Sequence, residues 1–182
     1  MVGIVLKREG VLILGFIIYF IIFIVKLVIN RKNLSLIFFK KQFNKFILVI
    51  YFLLLFGVTL CPLRIPFKWS SLIPIAPVVN MNPLNILNYG YNYYSIINII
   101  GNLILLAPLP ILMVLNGYEK FKQIKYVILI CLLLTVSIEL CQYWQASVGL
   151  VYVPRATDIL DIIFNTLGGV IGYISFKIYR KK

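Results

Sequence analysis

The strongest constraint in this sequence is a set of uninterrupted apolar runs. VLILGFIIYFIIFIV, from Val11 to Val25, and YVILICLLLTVSIEL, from Tyr126 to Leu140, are apolar on every side rather than along one stripe. With their flanks such runs reach about 18 to 22 residues, the length a helix rising 1.5 Å per residue needs to cross about 30 Å of hydrocarbon. A barrel would instead show short segments alternating apolar and polar residues. A chain that is 62% hydrophobic and 13% charged, with a mean hydropathy of +1.01, lies outside the range of soluble domains. The expected fold is an all-α, polytopic integral membrane bundle of about five spans, near residues 11–29, 46–61, 96–116, 126–145 and 158–179. A single domain over residues 1–182 accommodates them, with no internal repeat. The first run is too long for the apolar part of a signal peptide and leads to Lys26 and Asn30-Arg31-Lys32 without a small-x-small cleavage site, so it reads as a retained span.

The formal net charge of +13 would suggest nucleic acid in a soluble protein. Here the basic residues sit between or beside the apolar runs, where they orient the chain and meet anionic headgroups, so no nucleic-acid partner is expected. Arg31, Lys32, Lys40, Lys41 and Lys45, then Lys120, Lys122 and Lys125, then Arg180, Lys181 and Lys182 form the denser set, which predicts a cytoplasmic side. The N-terminus then lies outside the cell membrane and the C-terminus inside, with Lys7 and Arg8 opposing that assignment. Residues 33–46, NLSLIFFKKQFNKF, mix Leu, Ile and Phe with Lys and are expected to lie along the interface as an amphipathic helix.

Residues 62–95 hold Pro62, Pro66, Pro74, Pro77 and Pro83, which bar a continuous helix. Trp69, Tyr89, Tyr91, Tyr93 and Tyr94 in this segment are explained more simply by an interfacial aromatic belt than by a ligand cradle. In the third span, Pro108 and Pro110 remove two amide donors and predict a kink, read as a packing feature before a hinge. The absence of histidine removes histidine-based catalysis and His-ligated metals. Cys61, Cys131 and Cys141 show no paired spacing, and nothing in the sequence activates them.

Five acidic residues serve the whole chain, and three of them fall where charge is costly, at about 2.5 to 3.5 kcal/mol for Asp at a helix centre. Asn98 and Asn102 share a face of the third span, and Glu139 and Gln142 share one on the fourth. On the fifth, Asp158, Asp161 and Asn165 continue through Gly168 and Gly172 in one stripe, whose small residues turn it toward protein rather than lipid. The topology brings these groups together in the outer leaflet, with Glu139 about 9 Å from its helix end. Thr157 or Asp158 can cap the fifth helix, which leaves Asp161 and Glu139 without a simple structural role. Arg155 can neutralise one carboxylate. Such a cluster can form a structural lock with Arg155, take a divalent cation, or act as an acid/base pair. No cofactor is otherwise expected.

IIGNLILLAPLPILM, SIELCQ and RATDILDIIFNTLGGVIGY, in that order and with MNPLNIL ahead of them, resemble the VanZ-like family of bacterial membrane proteins. The resemblance covers about residues 80–176. It departs at the third span, where the family reads closer to FIPFG: Pro108 matches, while the aromatic and glycine around it do not. The resemblance implies a small helical membrane protein whose namesake is associated with reduced susceptibility to the glycopeptide teicoplanin. Carried over by position, the candidate ligand-binding residues are Asn98, Asn102, Gln142, Arg155 and Asn165, with Gly168 and Gly169 for helix packing, to which the stripe spacing adds Gly172. Glu139, Asp158 and Asp161 are the candidates for catalysis. Three functions follow as expectations: an envelope protein with an outer-leaflet polar pocket for a membrane lipid, a lipid-linked cell-wall precursor or a glycopeptide; a membrane-embedded enzyme on such a substrate; or a small transporter or flippase using Glu139 as proton carrier.

Overall fold

The computed structural model describes residues 3–31, 34–84, 92–153 and 155–180. Lys32, Tyr89, Tyr91, Lys181 and Lys182, named above, lie outside the described residues. Among the described residues, five helices are long and apolar enough to cross a membrane: α1 (Arg8–Ile29), α2 (Leu36–Leu60), a third crossing built from α3 (Tyr93–Leu106) and α4 (Leu109–Leu115), α5 (Ile124–Val148) and α6 (Ile159–Tyr179). The all-α membrane bundle expected from the apolar runs is what the chain forms.

The second crossing differs from expectation in its start. No interfacial helix precedes it, because α2 is already helical at Leu36, and the Lys-rich segment forms its first turns. Ser35 caps this start by accepting the Phe38 N–H at 3.2 Å. No proline or glycine interrupts the ladder before Gly57, so nothing ends the helix at the membrane boundary. Lys40 and Lys41 on these turns are exposed, and long Lys side chains can extend to the headgroup level from there. The helix α1 packs on α2, with the Tyr19 hydroxyl donating to the Gln42 carbonyl at 2.8 Å, and has no buried residue of its own.

The proline pair breaks the third crossing where expected. The hydrogen-bonded turns stop at Leu106 and resume at Leu109, while Ala107 and Pro108 keep helical dihedrals, so the axis continues through the break. A carbonyl released at such a break needs a partner within the membrane. The Tyr51 hydroxyl of α2 supplies one, donating to the Leu105 carbonyl at 3.0 Å.

At the centre, α6 packs against both α3 and α5. Gly168 lies against the Leu103 carbonyl and Gly172 against that of Ala107, so the two glycines four apart meet two carbonyls four apart. A Cβ at either position would overlap α3 backbone; one at Gly169 would overlap the Cys131 sulfur of α5. The expected glycine stripe therefore faces protein on two sides.

One end of the bundle carries two short ladders that apolar patterning did not reveal. The strand β1 (Gly3–Leu6) pairs antiparallel with β2 (Leu63–Pro66), with Leu6 opposite Leu63. The strand β3 (Val79–Asn80) pairs parallel with β4 (Thr157–Asp158), with Asn80 opposite Asp158. Between them the proline-rich segment lies over the end of α5, where the Ile75 N–H reaches the Ala146 carbonyl at 3.1 Å and the Arg64 N–H reaches that of Leu150 at 2.7 Å. Gly149 ends α5 at φ +79, and a Cβ there would collide with the Ile73 carbonyl. Trp69, Tyr93 and Tyr94 are all exposed at this end, as an interfacial belt requires.

The close approach of α6 to α3 predicts that Gly168→Ala and Gly172→Ala each destabilise the protein by about 1–3 kcal/mol through overpacking. Gly101→Ala, where nothing lies within 4 Å of the added carbon, should be neutral or slightly stabilising. Thermal melts of the three purified variants in one detergent check the ranking.

Candidate functional site

The polar residues of three crossings open into one cleft of about 580 Å³ at the end of the bundle that carries the ladders. Asn98, Asn102, Glu139, Gln142, Arg155, Asp158, Asp161 and Asn165 all line it, with Val58, Ile97, Leu105 and Ile138 as apolar wall. Every candidate binding and catalytic residue read from the sequence is thus in one place. The three glycines lie deeper in α6 and seat that helix.

Each carboxylate is held by a different device. Asp158 is the N-cap of α6, with one oxygen accepting the Leu160 N–H at 2.8 Å and the other accepting from Asn80 Nδ2 at 2.9 Å. Capping by Asp158 is the role its place at the start of the helix predicted, and Asn80 is the partner that reasoning missed. Glu139 is 3% exposed on α5, and its Oε2 accepts the backbone N–H of Asp158 at 3.0 Å. The acid thereby ties the middle of the bundle to β4. Asp161, one turn into α6 and half-buried, accepts from Asn102 Nδ2 and, at 3.4 Å, from Asn98 Nδ2. The four-residue spacing of the two asparagines aims both amides at one oxygen.

Glu139 and Asp161 therefore share the cleft without bonding directly; Glu139 meets the backbone of Asp158 instead. Of the three arrangements the sequence left open, the lock with Arg155 is not seen among the described residues. Arg8 pairs with Glu9 and Lys122 with Glu119, while Arg155 stands exposed at the rim. The carboxylates near it are met by amides and a backbone N–H instead: Asn98 and Asn102 at Asp161, Asn80 at Asp158, and the Asp158 N–H at Glu139.

Gln142 serves the architecture as well as the wall. Its Nε2 donates to the Thr59 carbonyl at 2.8 Å, and Gln145 Nε2 donates to that of Leu60 at 3.3 Å, so two amides satisfy the free carbonyl end of α2. Gln145 and Thr59 escaped the sequence reading because nothing in their spacing marks a helix end on another element. Asn165, 2% exposed one turn beyond Asp161, is different, since its Oδ1 is buried and has no hydrogen-bond partner among the described residues. Leaving a buried acceptor unmade costs about 1–3 kcal/mol, which a ligand donor in the cleft would relieve. No three Asp, Glu or Cys side chains among the described residues gather as metal ligands. The Cys61 thiol is pushed up by burial, opposite to the shift an attacking thiolate needs.

A helical membrane bundle with an acid- and amide-lined cleft open at one end is the class of protein this geometry defines. The family model described as VanZ/LLP1 matches residues 46–180, and the chain belongs to that family. The match takes in most of α2, a longer stretch than the residues that carry the sequence resemblance. No curated protein and no solved structure matches the chain.

The anchoring of Glu139 makes a specific prediction. Glu139→Gln keeps an acceptor for the Asp158 N–H and should melt close to wild type, whereas Glu139→Leu strands that buried N–H and should lose about 1–3 kcal/mol. Paired thermal or denaturant melts in detergent would show the split; equal losses would mean that the hydrogen bond does not matter.

Proposed function

We propose that this protein binds the polar head of an envelope lipid or lipid-linked cell-wall precursor in the cleft, from the outer leaflet of a bacterial cell membrane, and lowers teicoplanin susceptibility by doing so. The observation that carries the reading is the gathering of the eight candidate polar side chains, with Thr59, in a 580 Å³ cleft where the buried Asn165 Oδ1 has no partner among the described residues. A volume of this size suits a small head group, and mixed polar and apolar walls are the usual lining of such sites. Acceptors dominate the polar lining, so hydroxyl, amide or ammonium donors on the ligand complement it.

Binding is favoured over catalysis because Glu139 and Asp158 are already engaged in holding the cleft's shape. A second reading, an acid/base enzyme acting on the same lipid, rests on Asp161, which is half-buried and faces the ligand space with amide partners alone. The outward placement of the cleft follows from the denser Lys and Arg at the opposite end of the bundle.

Cells carrying Asp161→Asn or Asn165→Ala, with membrane levels matched to wild type, should lose most of any protection against teicoplanin. Full protection by both variants would end the binding-site proposal. Conversion of an added lipid-linked precursor by the wild type, abolished by Asp161→Asn, would favour the enzyme.

A further inference from the structure

A second cleft, of about 480 Å³, adjoins the first and carries the opposite charge. Lys7, Arg8 and Arg155 line it together with Glu9. Three cations against one acid leave a local charge of +3 − 1 = +2, and Glu9 is itself paired with Arg8 at 3.6 Å. Arg155 and Val58 line both clefts, so the basic space and the acid and amide space meet at these two side chains.

The fold brings these cations together from chain segments far apart. The β1–β2 ladder fixes Lys7 and Arg8 beside the loop after α2, while Arg155 arrives from the segment before β4. Gly57 makes room on α2, since a Cβ there would stand 3.1 Å from Arg8 Cγ. Lys7 and Arg8 are also the residues that run against the charge asymmetry of the chain, and the cleft supplies a reason for their position. Beyond them the faces of α1 present Ile13, Leu14, Ile17 and Ile21 outward, all more than 45% exposed, as a lipid-facing surface does.

We propose that the basic cleft takes the phosphate or pyrophosphate of a membrane lipid, with the apolar chain against α1 and the substituent beyond the phosphate crossing Arg155 into the acid and amide cleft. This deepens the function proposed above and rests on that reading. Guanidinium and ammonium groups bind phosphate oxygens through charge-assisted hydrogen bonds, and Arg155 at the junction can hold the bridging group while the acceptors of the neighbouring cleft select the substituent.

The test uses the full chain in dodecyl maltoside, which has no phosphate, titrated with geranylgeranyl phosphate, geranylgeraniol and inorganic phosphate and read by calorimetry. Geranylgeranyl phosphate should bind at least about tenfold more tightly than the alcohol, and inorganic phosphate alone should fail to displace it at equal concentration. Lys7→Gln with Arg8→Gln, and separately Arg155→Gln, should remove that advantage, with melting temperatures showing that both remain folded and Arg155→Lys restoring part of it. Equal binding of phosphate and alcohol, or unchanged binding by the folded charge variants, would overturn the proposal; displacement by inorganic phosphate would overturn the lipid as its source. Loss of protection in Asp161→Asn, with no phosphate preference in the wild type, would sink this inference and leave the parent reading standing.

Discussion

The approach of α6 to α3 is the contact on which the other features depend. With glycine at positions 168 and 172 the helix backbone settles onto the carbonyls of Leu103 and Ala107. In a bilayer no hydrophobic force draws two apolar helices together, so close backbone packing has to do that work. Once α6 is seated there, the residues one and two turns earlier on the same face, Asn165 and Asp161, are set opposite Asn102 and Asn98. The amide contacts of Asp161 are thus a consequence of glycine spacing two turns away.

A second layer of organisation comes from unpaired backbone at helix ends and breaks. Lipid offers no partner to such groups, and several of them have recruited a side chain from another element: Tyr51 at the Leu105 carbonyl, Gln142 and Gln145 at the end of α2, Glu139 at the Asp158 N–H. These bonds join helices that touch each other little, and they concentrate at the end of the bundle where the cleft opens. Much of the polarity that looks functional in the sequence is also what holds the cleft open.

The crossings and the cleft were legible for different reasons. Span length and apolarity follow from bilayer thickness and need no tertiary knowledge. The stripe of Asp158, Asp161, Asn165, Gly168 and Gly172 is legible because helical periodicity maps sequence spacing onto a face. Partners on other elements were not: Asn80 reaches Asp158 across 78 residues, and Arg155 looks like a natural mate for a carboxylate until the nearer amides are seen. The start of α2 was misread because Lys among Phe and Leu suits both an interfacial helix and the end of a crossing. The β1–β2 ladder joins chain ends separated by a helical hairpin, and its four-residue strands carry no period long enough to register.

The family match begins at residue 46, inside α2, so the whole of α1 lies ahead of it. That crossing buries no residue and leans on a single neighbour, yet its first turn delivers Arg8 to the rim of the cleft and the strand before it delivers Lys7. It meets the bundle through α2, where Phe16 and Tyr19 pack on Phe46. Lys7 and Arg8 thus come from outside the part of the chain that the family model covers, while the acids and amides of the cleft come from within it.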